Sequence, residues 1–339
     1  MNQHVGTQSI AFAQPPVLCA AAAVGGKKEA EGPLAAYFDI LSTDTKFRQK
    51  SWEKAESEMQ KLALQTALEK AEMGRGDLDA VLAGDLLNQC IGSSFSMRNT
   101  GLPTLGLYGA CSTMAEGLLV GAIAVSGGFL RSTAVLTSSH FASSERQYRY
   151  PLGYGGQRTP TAQWTVTGSG CAILKENGHG PRIPRATIGQ IVDMGIKDQN
   201  NMGAAMAPAA YETIQAHLHD FSLSPTDYDL IVTGDLGKIG KSIVLDLFRR
   251  DGMAVDAVYD DCGTMIYDIA RQDVHAGGSG CGCSGVVLSG YLLRLMEQKK
   301  LRKLLFCGTG ALLSPTSTQQ GESIPAVCHA VSILSEEVS

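Results

Sequence analysis

The chain has 339 residues, 28 Lys+Arg against 33 Asp+Glu, and a formal net charge of -5 at pH 7, with 44% hydrophobic and 18% charged side chains. That balance excludes a disordered chain, and the acidic excess argues against a nucleic-acid partner, which calls for a basic stripe. The most apolar run, Gly117 to Leu130, is too short to cross a bilayer and carries Gly121, Gly127 and Gly128. No basic region precedes the Ala-rich stretch Cys19–Val24, so no secretory signal is expected. The nine cysteines are then expected to remain thiols in an intracellular, reducing compartment. In chain order, apolar residues at helical spacing (Trp52, Ala55, Met59, Leu62) predict a helix over 52–73 ending at Gly74. Short apolar runs predict strands at 80–83, 104–108 and 132–138, with a small-residue helix over 112–125 between the last two. Further along, Pro208 is placed in the first turn of a helix running to His219. A strand over 230–233, helices over 241–249 and 283–297, and a strand over 303–307 follow. Alternation of this kind is an α/β pattern.

The chain also repeats itself at long range. DLDAVLAGDL (77–86) matches DYDLIVTGDL (227–236) at an offset of 150, and YGACSTM (108–114) matches YDDCGTM (259–265) at 151. Leu64, Gln65 and Leu68 match Ile214, Gln215 and Leu218, and RSTAVLTSS (131–139) resembles RKLLFCGTG (302–310). Two similar halves, 1–178 and 179–339, are therefore expected. The helix after Ser112 is apolar on nearly every side, which implies burial all round. Similar halves that share buried central helices make a layered αβαβα arrangement.

Cys111 stands between a strand and the N-terminus of that buried helix. Free N–H groups and the helix dipole there favour thiolate and attract anions. The plain alternative is a small cysteine filling a tight turn, and position alone leaves both readings open.

The duplicated α/β halves, the YGACST turn and the glycine loop CGTGALLSP (307–315) resemble the thiolase superfamily, including its ketoacyl synthase III group. That resemblance implies a thiolase-like duplicated αβαβα layered fold, with Cys111 at the position acylated in those enzymes. It also exposes departures. Gly278–Gly285 resembles the thiolase G-H-P-L-G-A-S-G loop with Ser279 in place of the His. The His-Gln-Ala-Asn stretch of the ketosynthase III group appears here as Gly234-Asp235-Leu236-Gly237, and no Asn occurs in 276–290. Without an imidazole beside Cys111, the sequence offers no evident proton acceptor or carbanion stabiliser. A more specific resemblance is carried by LAGDLLNQ ahead of Cys90, YGACST, TSSHFASSERQYRYP (137–151), TVTGSG (165–170), MGAAMAPAA (202–210), AGGSGCGCS (276–284) and TGALLSPT (309–316). Together these resemble the stage V sporulation protein AD family. The resemblance implies a non-catalytic protein that binds dipicolinic acid (pyridine-2,6-dicarboxylate), free or as its calcium chelate. It further implies a role in dipicolinate uptake into the developing spore, alongside membrane proteins of the same operon and peripheral to the forespore inner membrane. No cofactor or protein-held metal is expected; calcium would arrive with the ligand. A homodimer is expected by analogy.

A flat aromatic dianion calls for N–H donors, hydroxyls and a cation. Cys111 and Ser112 at the helix mouth, Gly278, Ser279 and Gly280 in one loop, and Gly308 and Gly310 in another are the candidates for close backbone approach. His140 is a candidate donor, against the alternative of an ordinary loop histidine. Arg146, Arg149 and Arg158, beside Tyr148, Tyr150 and Tyr154, suit a dicarboxylate through bidentate pairing, although an ion-paired structural loop or subunit interface is the favoured reading. Asp85 and Asp235 recur at strand ends; Asp85 reads as a cap, whereas Asp235 is a candidate for ligand or calcium contact. Asp260 and Asp261 read as a solvated helix start, Cys281 and Cys283 do not make a zinc motif, and Cys307 reads as core. Two other functions stay open. One is an acyltransferase or condensing enzyme using Cys111, with His140 or His275 as base; the other is a structural adaptor.

Overall fold

Segments rich in Ala, Gly and Val are squeezed into strands here because both of their faces are covered. In the computed structural model, which describes residues 1–149 and 157–335, the main sheet path uses ten strands. They are β1 (Val17–Gly25), β2 (Ala80–Gly84), β3 (Thr104–Leu107), β4 (Ser132–Ser139), β5 (Gly168–Lys175), β6 (Arg182–Thr187), β7 (Leu230–Thr233), β8 (Tyr259–Asp261), β9 (Lys303–Ala311) and β10 (Ala326–Leu334). Their order, β8-β7-β9-β10-β6-β1-β5-β4-β2-β3, joins two similar five-strand sets through the single pair Arg182–Val17. Each set has two parallel pairings at its outer end and antiparallel pairings toward the junction. The expected division at residue 178 falls in the turn between β5 and β6.

Five helices matter for the site: α1 (Trp52–Lys70), α2 (Thr113–Ser126), α3 (Phe141–Tyr148), α4 (Met202–Asp220) and α5 (Gly237–Arg250). A sixth, α6 (Cys281–Val286), runs on through a π-helical turn (Val287–Leu292) into Leu293–Glu297. Alternation along the strands separates three apolar cores. Ala134, Leu136 and Ile173 face α1, packing with Met59, Ala63 and Leu64. Val135, Leu82 and Leu174 face inward with Leu304, Phe306 and Val331, enclosing Met114 and Leu118 of α2 and Val286 of α6. Leu305, Cys307 and Cys328 face outward again, toward Ile214 of α4 and Phe248 of α5. The result is helix, sheet, helix, sheet, helix, with α2 central.

Several elements depart from expectation. Pro208 is inside α4, which begins at Met202, so the first-turn placement is corrected; the surrounding packing of Ala205, Met206 and Ala209 sustains the helix past the missing donor. The stretch from Cys307 to Ala311 is not a loop but the end of β9, paired in register with Ala326–Ala330 of β10. Five strands of the main path have no counterpart among the expected ones: Val17–Gly25, Gly168–Lys175, Arg182–Thr187, Tyr259–Asp261 and Ala326–Leu334. Three are rich in Ala, Gly, Ser or Cys, which lack the β-branched signature that a strand reading relies on.

Candidate functional site

The turn after β3 is made for a fixed cysteine. Ala110 takes a left-handed backbone (φ 52), turning the chain sharply, and a 3-10 turn (Ala110–Ser112) leads into α2. Ser112 Oγ donates to Gly109 O at 2.7 Å and Thr113 Oγ1 to Ala110 O at 2.7 Å, so both hydroxyls serve the turn. The turn rests on β9: a Cβ on Gly308 would lie 2.6 Å from Ala115 Cβ, and one on Gly310 would lie 2.6 Å from Gly109 O. Cys111 is thereby buried.

The group facing its thiol is a carboxylate. Asp235, in the turn after β7, accepts from Gly280 N at 2.7 Å and from Thr309 Oγ1 at 2.9 Å, and its charge acts on the Cys111 thiol. Gln163 Nε2 ties this turn to the next loop, donating to Asp235 O and Gly278 O at 2.7 Å each. Burial raises the Asp235 carboxyl above the usual aspartate range, while the hydrogen bonds from Gly280 N and Thr309 Oγ1 act against that rise. Burial first, and the Asp235 charge second, push the Cys111 thiol well above the ordinary cysteine range. The helix mouth therefore holds a protonated thiol, the reverse of the thiolate that position alone favours.

A pocket opens onto this thiol, lined by Cys111, Ser279 and Thr165 on one side and by Ser144, Glu145, Tyr148 and Arg149 on another. Its atom-free space is about 430 Å³ including the mouth. Arg149 and Glu145 form an ion pair of 2.8 Å whose side chains are 5% and 4% exposed. Thr165 Oγ1 donates to Glu145 at 3.2 Å, and Arg149 Nη1 also reaches Gln163 O at 3.4 Å. Tyr148 donates to Leu86 O and meets the Tyr108 hydroxyl at 3.1 Å. The buried Ser144 hydroxyl has no partner among the described residues.

The residues singled out from the sequence thus fall into three groups. Cys111 and Ser279 line the pocket, with Asp235 and Gly280 directly behind them. Ser112, Gly278, Gly308 and Gly310 support the turns that hold those residues. His140 lies on the other side of α3: its Nδ1 accepts from Ala142 N at 3.1 Å, its Nε2 lies 2.7 Å from Thr45 O, and it faces a separate cavity shared with Trp52 and Trp164. His275 pairs with Asp273. Of the arginines, Arg146 pairs with Glu53 and Arg158 with Asp273, Arg158 also lying 4.6 Å from the Trp164 ring; only Arg149 lines the pocket. Tyr150 and Tyr154 lie outside the described residues. Asp85 accepts from Ser93 N and Oγ, and from Leu87 N. Asp261 caps the helix start at Cys262, accepting from Thr264 N at 3.2 Å, and being buried it also accepts from Leu236 N and Gly237 N at 2.8 Å. Glu145, Gln163 and Thr309 were missed; Glu145 stands four residues before Arg149, a helical pairing that spacing does offer, whereas Gln163 and Thr309 act through partners distant along the chain. Among the described residues no group of three His, Cys, Asp or Glu side chains could hold a metal ion.

The sequence matches the family described as stage V sporulation protein AD over residues 6–334. Stage V sporulation protein AD of Bacillus subtilis (strain 168) is 44% identical over 326 residues, covering 96% of each chain. Among solved structures, 3-oxoacyl-[acyl-carrier-protein] synthase III of Aquifex aeolicus VF5 is similar with a TM-score of 0.57 and 11% identity, over 94% of this chain and 99% of that one. Cerulenin-bound OleA of Xanthomonas campestris is similar with a TM-score of 0.58 and 14% identity, over 95% and 97%. At such identities these structures speak to the fold, which is thiolase-like.

Proposed function

Because the chain belongs to the stage V sporulation protein AD family, its role is in sporulation, and we propose that it acts there as a non-catalytic receptor for dipicolinate. The observation that carries this reading is the buried Asp235 carboxylate, fixed by Gly280 N and Thr309 Oγ1 and acting on the Cys111 thiol that lines the pocket. A nucleophilic cysteine needs a neighbour that takes its proton or stabilises its anion. A carboxylate in a buried site does neither: its charge keeps the sulfur neutral. Around that sulfur stand the hydroxyls of Ser144, Thr165 and Ser279, with one guanidinium, Arg149. Such a lining suits an aromatic ring carrying carboxylates. Calcium, in this reading, enters held by the ligand's own carboxylates. Titration calorimetry with dipicolinate, beside isophthalate as a control lacking the ring nitrogen, tests the proposal. Equal heats for both, or none for either, would remove it.

The fold's likeness to synthases keeps a second reading in view, acyl transfer through Cys111. Incubation with acyl-CoA followed by intact mass spectrometry decides between them: the receptor reading expects no adduct on Cys111. No helix among the described residues is long and apolar enough to cross a membrane. Action at the forespore membrane would thus run through membrane-embedded partners, whose contact surface co-purification would map. A second copy of the chain would pair along β3, the end strand of the sheet order, where Leu105 is exposed.

A further inference from the structure

The Arg149–Glu145 pair is placed where a ligand must go. Both side chains line the pocket, both are almost fully buried, and between them they cancel the pocket's charge. Among the described residues Arg149 is the one cation lining this pocket, and it is already taken by Glu145, so an entering dicarboxylate meets a guanidinium that is not free. A buried guanidinium cannot serve two carboxylates without leaving one in excess, and an unpaired buried carboxylate is too costly to stay ionised.

We propose that ligand binding is an exchange: a ligand carboxylate takes the Arg149 guanidinium from Glu145, and the released Glu145 carboxylate takes up one proton from solvent. This rests on the dicarboxylate reading of the pocket and specifies how that pocket selects and holds its ligand. The groups facing Glu145 support it. Just beyond its own helix stands Arg149; from segments further along the chain come Thr165 and, at longer range, Arg158. From the α2 turn comes the protonated Cys111. On α1, Glu53 is occupied by Arg146, and Glu56 by Ser138 and Ser143. None of these supplies a replacement cation within contact once Arg149 swings to the ligand. Burial already lifts the Glu145 carboxyl above the ordinary glutamate range, against the opposing pull of Arg149. Removing that pull moves it further up, so the complex holds a proton that the free protein does not. Ser144, released from no bond, is free to donate to the incoming carboxylate.

The test uses the full chain with dipicolinate between pH 6 and 8, where the ligand's carboxylates stay ionised. Uptake of one proton per ligand makes Kd fall about tenfold for each unit of falling pH within the window set by the free and bound Glu145. Calorimetry in buffers of different ionisation enthalpy counts the proton directly. Glu145→Gln should bind more tightly than wild type at pH 8 and lose the pH slope, whereas Arg149→Met should lose at least tenfold in affinity. A flat wild-type profile with no proton uptake, or a Glu145→Gln variant that keeps the slope, would overturn the exchange. A second readout is independent of dipicolinate: the ratio of Cys111 alkylation by iodoacetate to that by iodoacetamide, in which the thiolate fraction cancels. The ratio should rise in Glu145→Gln, and in wild type as pH falls. If dipicolinate fails to bind while the ratio behaves this way, the exchange stands and the ligand assignment falls. If the ratio does not move either, both fall.

Discussion

The buried carboxylate of Asp235, in the turn after β7, acts on the thiol of Cys111, in the turn after β3, and together with burial pushes that thiol well above the ordinary cysteine range. In the repeat, Asp85 occupies the position of Asp235, yet Asp85 is spent within its own segment on Ser93 and Leu87. Cys262, the repeat partner of Cys111, is fully buried. Duplicate positions have thus diverged into one site and one scaffold.

The Asp235 charge predicts a reactivity. Replacing Asp235 with Asn removes the negative charge that disfavours the Cys111 thiolate, while leaving an oxygen for Gly280 N. Asp235→Asn should therefore raise the rate of Cys111 alkylation by iodoacetamide at pH 8 by about tenfold, roughly one unit of thiol acidity. Peptide mass spectrometry reads the rate; an unchanged rate would show that Asp235 does not control the thiol.

The support beneath the turn predicts a stability effect. Gly308→Ala places a methyl group 2.6 Å from Ala115 Cβ and 2.9 Å from Ser112 O, forcing the start of α2 away from β9. A loss of about 2 kcal/mol is expected, seen as a lower midpoint in urea unfolding with an unchanged slope. Ligand affinity should fall with it, because the same displacement shifts Cys111.

Acid sensitivity follows from His329. Burial lowers its pKa to about 4, and its Nδ1 accepts from Gly189 N at 3.1 Å, a bond only the neutral ring can accept. The unfolded chain binds this proton near pH 6.5 and the folded chain does not, so stability is full above that pH and lost as pH falls toward 4. The loss is at most ~3 kcal/mol. His329→Asn, which keeps an acceptor without titrating, should flatten the fall in melting temperature between pH 7 and pH 4.5. A parallel fall in both proteins would contradict this assignment.

The exposed β3 edge predicts an assembly. Gly106→Pro removes an edge donor and should convert a wild-type dimer to monomer in sedimentation velocity, with little change in thermal midpoint. A wild-type monomer at micromolar concentration would dispose of the pairing.

Much of this protein was legible in one dimension. The 150-residue echo, the periodic burial of Trp52 to Leu68 and the all-round apolar face of the helix after Ser112 set the α/β layering and the position of Cys111, because burial periodicity is a local property of the chain. The low-propensity strands Val17–Gly25 and Gly168–Lys175 escaped, since they are strands only by virtue of being covered on both faces. Which aspartate meets the cysteine, that Arg149 and not Arg146 or Arg158 enters the pocket, and that His140 turns away behind α3 were decided by the tertiary structure alone. Those outcomes depend on strand order and on contacts between residues far apart in the chain. Short-range spacing carries no information about them.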